Sequence, residues 1–470
     1  MVLWSLSLSS LPLARADGTP PPLPGICSES DRFGVAVAGW IGGYDVEPLH
    51  AGWYHNFTTS TSPPHPAAMR YVQTIRISDD GPFADQACSA CPTWQALQQM
   101  AQANPGSLWL VGNEQDRQDY VGAAHYARLY HDFYTFLKAE DPTGLVGIGG
   151  VVQPTPIRLQ YLDLILTAYA DQYGQAMPVE VWNVHNYVLR EKRWYEGCPD
   201  CWGCGIPPDI PADTGQLYDI QDHDNMGYWT WHIILMRQWM RDRGYRDRPL
   251  IISEFGILMP EMYGYDYSRV RRMMLATFDW MRSTTNPDTG YPADGNRLVQ
   301  AWSWYSLNDP AFEGWPSWNH LFDPTTRTMT ALGQDFAAYT ASLTAPFPGS
   351  IDLSPTSLRH TPPEPESGSL VTITVLADIH NGGGATAGNV LVRFERDGQP
   401  AGQVILPDIP AGESRVAGVV WPGLTRRHLY QVTVTVNPDG QIVECDPSNN
   451  RLTAPLLATD IAVYLPLIRK

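Results

Sequence analysis

From Phe33 to Leu307, apolar positions come in short, nearly continuous runs, each closed by polar or aromatic residues and followed by a helical or loop segment. The runs number eight: Phe33–Trp40, Ala51–Thr58, Tyr71–Ser78, Leu108–Glu114, Leu145–Val152, Val179–Tyr187, Leu250–Phe255 and Val299–Ser306. Unbroken apolar runs suit strands buried on both faces, as in a parallel sheet. Between them, Val121–Lys138, Asn225–Arg243 and Tyr267–Arg282 carry apolar and aromatic residues at helical spacing. Asp141-Pro142 stops the first of these and Gly244 the second. Strands alternating with helices predict a wound α/β fold, and eight units predict closure into a (β/α)8 TIM barrel.

The pattern changes near Thr340. Ala345–Ser369 is rich in Pro, Ser and Thr and reads as a linker merging into a first strand. Alternating runs follow at Leu370–His380, Asn389–Arg396, Gln403–Leu406, Ser414–Trp421 and Tyr430–Val436, punctuated by Asn381-Gly382-Gly383-Gly384, Asp397-Gly398 and Asp439-Gly440. Short alternating strands with Gly-rich turns predict a small all-β antiparallel sandwich, Ig-like in architecture. The chain is therefore divided into a barrel over 31–342, a linker over 343–350, a sandwich over 351–456 and a tail over 457–470.

Export enters through the first residues. Val2–Leu13 is mostly apolar and Ala14-Arg15-Ala16 fits a small-x-small cleavage site before Asp17, so 1–16 reads as the end of a signal peptide and 17–30 as a Pro-rich leader. A secreted or cell-surface bacterial protein is expected, with no transmembrane segment. The 7 cysteines fit that compartment, where disulfides are the default. Cys88/Cys91 and Cys198/Cys201/Cys204 are clustered, and four of the five are also enough for a structural zinc. The net charge of −18 argues against nucleic acid as a partner. The 17 Trp and 23 Tyr fill cores and also supply flat rings that stack on sugars.

Barrel enzymes carry their catalytic groups at the C-terminal ends of the strands. The fourth run ends Gly112-Asn113-Glu114-Gln115-Asp116 and the seventh ends Ile252-Ser253-Glu254-Phe255-Gly256, each placing a carboxylate after an apolar run that ordinarily excludes charge. Two carboxylates flanking one bond are what glycoside hydrolysis requires. His185 and Tyr187 end the sixth run. Trp302 and Trp304, two apart and so on one face, sit in the eighth, with Trp304 nearer the mouth. Trp40, Trp53 and Tyr54 end the first two runs, and Arg76 is a charge inside the third, either for substrate or for a salt bridge. In the long segment Arg190–Asn225, the run Asp219, Asp222, His223, Asp224 matches no known cation spacing and reads as a solvated loop. No cofactor and no metal site is assigned.

These strand endings resemble glycoside hydrolase clan A over roughly 33–339. In that clan an Asn-Glu pair closes strand four, with its Glu as acid/base, and a Glu closing strand seven is the nucleophile. Asn113-Glu114 and Glu254 match those positions, while Gln115 stands where the clan often has Pro. The resemblance implies retention of configuration, a polysaccharide or oligosaccharide substrate, an Asn113 that holds the sugar 2-hydroxyl, and an imidazole or phenol at the end of strand six that keeps the nucleophile ionised. It also implies a strand-eight Trp beneath the reacting sugar. Gly52-Trp53-Tyr54-His55-Asn56, with the two Glu motifs, is distantly similar to clan A endo-β-1,3-glucanases. The C-terminal stretch of about 350–456 resembles the CARDB module, a cell-adhesion-related bacterial sandwich. The matching residues are Asp378-Ile379-His380-Asn381-Gly382-Gly383, Ile409-Pro410-Ala411-Gly412-Glu413 and Val436-Asn437-Pro438-Asp439-Gly440, with Ile442-Val443-Glu444 and Asp446-Pro447-Ser448-Asn449-Asn450 following; Cys445 replaces a small polar residue. That module implies a spacer or adhesive role. Its acidic cluster Asp439, Glu444, Asp446 reads as turn capping, with calcium as the alternative.

Overall fold

A computed structural model describes residues 23, 25–77, 92–196, 198, 200–310, 315–361 and 369–458. The described residues divide into two compact units, one comprising Ser28–Thr344 and the other joining those before Ser28 with those from Ala345 to Ala458.

The first unit is a closed parallel barrel. Its strands are β1 (Phe33–Ala36), β2 (Trp53–His55), β3 (Arg70–Tyr71) with β4 (Gln73–Ile75), β5 (Leu108–Val111), β6 (Leu145–Ile148), β7 (Trp182–His185), β8 (Leu250–Phe255) and β9 (Ala301–Tyr305). β3 and β4 share one barrel position, broken at Val72: β3 pairs with β2, and β4 pairs with β5. β6 meets β7 through the parallel bridges Gly147–Val181 and Val151–Val184, and β9 pairs with β1, which closes the ring. Apart from the partly exposed ends at Arg70, Leu108, Leu145 and Tyr305, every strand residue is buried. That is why the runs read as continuously apolar. Outside the ring lie α1 (Trp94–Ala103), α2 (Ala123–Glu140), α3 (Pro156–Tyr173), α4 (Met226–Asp242), α5 (Tyr267–Ser283) and α6 (Ala331–Thr340). Asn225 caps α4 by accepting from Gly227 and Tyr228 N–H, and Asp266 caps α5 by accepting from Arg269 N–H. The first two crossovers hold only single 3-10 turns, at Glu47–Leu49 and Pro66–Ala68. Among the described residues no helix is long and apolar enough to cross a membrane.

The second unit is a sandwich of two antiparallel sheets. One has the order β10 (Leu353–His360), β11 (Leu370–Asn381), β14 (Ser414–Thr425); the other has β13 (Gln399–Ile409), β12 (Ala387–Arg396), β15 (Leu429–Val436), β16 (Arg451–Leu457). Along β11 burial alternates from Val371 to Asn381, as expected of a strand with one face in the core. Asn381 ends it in the turn. Its amide donates to the carbonyls of Ala385 at 2.8 Å and Ile409 at 2.9 Å. Two residues on, Gly383 must be glycine, since a Cβ there meets the Ser350 carbonyl at 2.4 Å. The acidic cluster separates. Glu444 is buried and accepts from Leu353 N–H and the Asn437 and Asn450 amides, Asp446 caps Ser448, and Asp439 pairs with Arg393.

Of the cysteines, Cys27 and Cys445 form a disulfide, Cys198 and Cys201 form another, and Cys204 is free and buried, its thiol pushed up to about 12 by burial. Cys88, Cys91, the signal-peptide reading and the apolar tail lie outside the described residues. The Cys27–Cys445 bridge ties the chain before the barrel to the sandwich unit, where Leu23 and Ile26 are also buried. We expect Cys445→Ser to lower the unfolding free energy of the sandwich transition by about 2–4 kcal/mol, measured by calorimetry on the full chain. An unshifted sandwich transition would mean that the bridge adds nothing to stability.

Candidate active site

Glu114 sits in a turn just beyond β5, not in the strand. The chain leaves β5 through Gly112 at φ +97° and turns at Glu114 with φ +49°, a left-handed conformation costly for a side chain with a Cβ. Surrounding hydrogen bonds hold it there. Glu114 N–H donates to the Gly150 carbonyl at 3.0 Å, and its own carbonyl accepts from Arg117, Gln118 and Asp119 at 2.8, 2.7 and 3.1 Å. Asp119 accepts from Asn113 N–H at 2.8 Å. Behind the turn, the buried Asp116 pairs with the buried Arg158, which also binds Glu191 at 3.0 Å and donates to the carbonyls of Cys204 and Gly205.

Glu254 lies within β8, opposite His185 of β7, where a register shift follows Val184. Its carbonyl accepts from Asn186 N–H at 2.9 Å, and the preceding Ser253 carbonyl accepts from His55 Nε2 at 2.8 Å. Burial pulls His55 down to about 4, so its ring is neutral near pH 7.

These elements bring three buried groups together. His185 Nδ1 is 3.1 Å from Glu114 Oε1, and its Nε2 is 3.1 Å from Glu254 Oε1. The three donor atoms lie within 4.8 Å of one another. Arg117 Nη1 donates to Glu114 Oε2 at 3.1 Å, and the Tyr187 hydroxyl donates to Glu254 Oε2 at 3.1 Å. Two carboxylates and an imidazole are also a donor set of the kind that holds divalent ions.

The two carboxyls are pushed apart in proton affinity. Burial by itself raises Glu114, but the His185 hydrogen bond and charge, with Arg117, overcome it and bring that carboxyl down to about 2. Burial raises Glu254 against the opposing pull of His185, and the charge of Glu114 adds to the rise, which reaches about 7. Burial disfavours the charged form of His185, yet Glu254 and then Glu114 hold the ring above its ordinary value. The resting order is thus the reverse of the one the sequence led us to expect, in which Glu114 keeps the proton and Glu254 is ionised.

Glu114, Glu254, His185, Tyr187 and the adjoining Asn113 are brought together; the remaining expected residues are not. Trp302 and Trp304 do share a face, but it is the outer one. Trp302 packs on Phe33 at 4.8 Å, and Trp304 packs on Phe255 at 5.4 Å and on Phe278 of α5 at 6.3 Å. Both are wholly buried beneath the helices, so neither floors a sugar site. Trp53 fills the base of the barrel, where its indole lies over Gly34 and donates to the Arg32 carbonyl. Tyr54 faces outward and donates to the Pro64 carbonyl. Arg76 takes the salt-bridge alternative, with Asp119. Trp40 is exposed in the loop after β1 and makes no hydrogen bond or ring contact with the described residues of the cluster. The acidic loop run is solvated only in part, with Asp219 exposed and His223 buried. Asp224 pairs with Arg269, Asp219 and Asp222 form a capping box, and buried His223 bonds the Val188 carbonyl and Leu258 N–H.

Two neighbours escaped the sequence reading. Arg117 follows Glu114 by one turn. Tyr305, one residue beyond Trp304 and so of opposite facing, lies 6.4 Å ring to ring from Phe57, donates to Asp309, and feels the charges of Glu254 and Glu114. The alternation of β9 carries the signal for Tyr305, once the outward face is assigned to the tryptophans.

Comparison with known proteins follows the division into units. No curated protein matches the chain. A GH128 (subgroup II) endo-β-1,3-glucanase from Sorangium cellulosum is 16% identical, with 65% of this chain and 98% of that one covered at a TM-score of 0.42. An endo-β-1,4-mannanase from Thermotoga petrophila is 9% identical, covering 91% and 98% at 0.36. The CARDB domain of a Pyrococcus furiosus protein is 19% identical, covering 24% and 90% at 0.20. In the C-terminal unit, residues 350–454 match the CARDB family model.

Proposed function

We propose that this chain is a secreted retaining glycoside hydrolase that cleaves β-linked polysaccharide or oligosaccharide by double displacement. The observation that carries the reading is the pair of buried carboxylates, with oxygens within 4.8 Å of one another, on opposing elements at the C-terminal end of a parallel barrel. A retaining pair stands about 5–5.5 Å apart, carboxyl to carboxyl, whereas an inverting pair needs about 6.5–9.5 Å to admit water. In the first step Glu114 gives its proton to the leaving oxygen while Glu254 attacks the anomeric carbon. In the second, Glu114 takes a proton from water as that water displaces Glu254. The Tyr187 hydroxyl suits an anionic Glu254, because burial holds the phenol as a donor and it points at Oε2. Asn113 is proposed to hold a sugar hydroxyl, and the CARDB-matching unit to keep the protein at a cell surface or matrix.

A second reading exchanges the two roles, and the resting charge order favours it, since Glu114 lies low beside Arg117 and Glu254 lies high. Labelling decides between them. With a slow 2-deoxy-2-fluoro glycoside of a sugar the enzyme hydrolyses, peptide mass spectrometry is expected to find the adduct on Glu254. An adduct on Glu114 would reverse the assignment.

Glu254→Gln is expected to stop turnover while circular dichroism stays native, and Glu114→Gln to slow unactivated glycans by about 10²–10⁴-fold. Reducing-end release from a panel of β-glucans, xylan, mannan and galactan measures both. Wild-type-like release by Glu254→Gln would sink the reading.

The carboxyl shifts also set a pH signature. Glu254 is raised from 4.5 to about 7, so across that window the folded chain keeps a proton that the unfolded chain releases. Its stabilising contribution is complete below about 4.5 and disappears as pH climbs through about 7. Glu114 acts oppositely, with a contribution lost as pH falls toward about 2. Melting temperature is therefore expected to fall less steeply between about pH 4.5 and pH 7 in Glu254→Gln than in wild type; parallel curves would refute the shift.

A further inference from the structure

Arg117 holds more donors than its contacts use. It makes one side-chain hydrogen bond, from Nη1 to Glu114 Oε2 at 3.1 Å, and its side chain is 40% exposed where that of Glu114 is 3% exposed. Its Nε and Nη2 meet no acceptor among the described residues. Other arginines of the barrel place this side-on edge against a carboxylate of the protein. Arg76 puts Nε and Nη2 on Asp119 at 2.9 and 2.5 Å, and Arg269 puts them on the two oxygens of Asp224 at 2.7 and 2.6 Å. The buried Arg158 is likewise taken up, by Asp116 and Glu191. At Arg117 the edge stays open. The backbone fixes its place, since Arg117 N–H donates to the Glu114 carbonyl at 2.8 Å, and the turn that sends Glu114 into the cluster therefore brings Arg117 back over it.

We propose that Arg117 recognises substrate and that the glycan is anionic, with a uronate carboxylate seated on the Nε/Nη2 edge of Arg117; this rests on the hydrolase reading above. In that reading Glu114 faces the leaving oxygen, so the uronate lies on the leaving side of the scissile bond.

The fit is one of geometry and charge. Two N–H groups on one edge of a planar guanidinium match the two oxygens of a carboxylate, and such charge-assisted pairs are roughly twice as strong as bonds to a neutral hydroxyl. The net charge of −18 gives a polyanion nothing to gain from the surface at large, so the attraction has to be local. The basic side chains after β7 do not supply it. Arg190 and Lys192 share Asp200, and Arg193 pairs with Asp213.

Matched oligosaccharides test the assignment. Fragments of β-glucan, mannan and galactan are compared untreated, with C6 oxidised to the carboxylate, and with C6 sulfated. Calorimetry on the full chain carrying Glu254→Gln measures binding without turnover. An oxidised glycan is expected to bind about tenfold more tightly than its untreated form, the order of one half-exposed charge-assisted contact, and more tightly than its sulfated form. The preference should shrink as salt rises from about 0.05 to about 0.5 M. Adding Arg117→Gln should erase it with circular dichroism native, and Arg117→Lys, which keeps the charge but loses the fork, should retain only part. In the active enzyme, C6 oxidation should lower KM, and Arg117→Gln should remove that gain whatever it does to kcat through Glu114. No binding of the oxidised glycans, equal affinity for oxidised and untreated forms, a preference for sulfate, or a preference that survives Arg117→Gln would overturn the proposal. Cleavage of glycans without acid preference would leave the hydrolase reading standing alone. Acid-selective binding through Arg117 in a protein that cleaves no glycan would sink the hydrolase reading and leave the recognition standing.

Discussion

Two carboxylates buried within 5 Å of one another are the constraint around which the barrel's mouth is arranged. Two unit charges at about that distance repel by roughly 3 kcal/mol at an effective dielectric of ~20, and each also loses its hydration on burial. A fold cannot keep such a pair ionised without compensation. Here one carboxyl has a guanidinium, the other a phenol, and both share an imidazole. The carboxyls consequently separate, Glu114 falling and Glu254 rising. A pair pushed apart in this way supplies one acid and one base in one place, the condition that two-carboxylate catalysis needs.

The supporting shell follows the same logic. Asp116 adds a third buried acid two residues after Glu114, and its charge raises both Glu114's neighbour His185 and its own need for a partner. Arg158 meets that need. It spends its remaining donors on Glu191 and on the carbonyls of Cys204 and Gly205. The long segment after β7 is thereby fastened to the rear of the Glu114 turn. Truncating Arg158 would leave two buried carboxylates unpaired, which is far costlier than the net worth of the pairs themselves.

How much of this was legible in sequence follows from what each feature depends on. The barrel strands were legible because burial on both faces leaves unbroken apolar runs, and all eight positions fall in the runs read for them, shortened at their ends and beginning at Arg70 in the third. Glu114 and Glu254 stood out as a pair, because either charge alone fits a solvated strand end or a salt bridge, whereas two at the fourth and seventh positions point to one site. The tryptophans of β9 misled because periodicity says that 302 and 304 share a face but not which one. The choice is made by the aromatic layer of Phe33, Phe278 and Phe336, contributed by β1, α5 and α6 far away in sequence. Trp53 failed for a different reason. The ring sits over Gly34, a position whose missing side chain becomes visible as space only after the strands are paired. The crossing of Arg117 into the site was hidden because it depends on the left-handed turn at Glu114, which no local propensity requires.

The identity of the bridging side chain narrows what the mouth can do. A lysine or arginine between two carboxylates would neutralise them equally well, but it would stay charged and fix the proton count at every working pH. Imidazole alone among the common side chains offers a donor and an acceptor on opposite edges of one ring, and exchanges them by tautomerism. Arg117 already supplies the permanent positive charge, on the outer oxygen of Glu114. A second fixed cation at position 185 would only deepen the hold on Glu114's ionised form. The division of labour between a permanent cation on Glu114 and a titrating ring between the two carboxyls is what keeps one buried cluster's charges compensated.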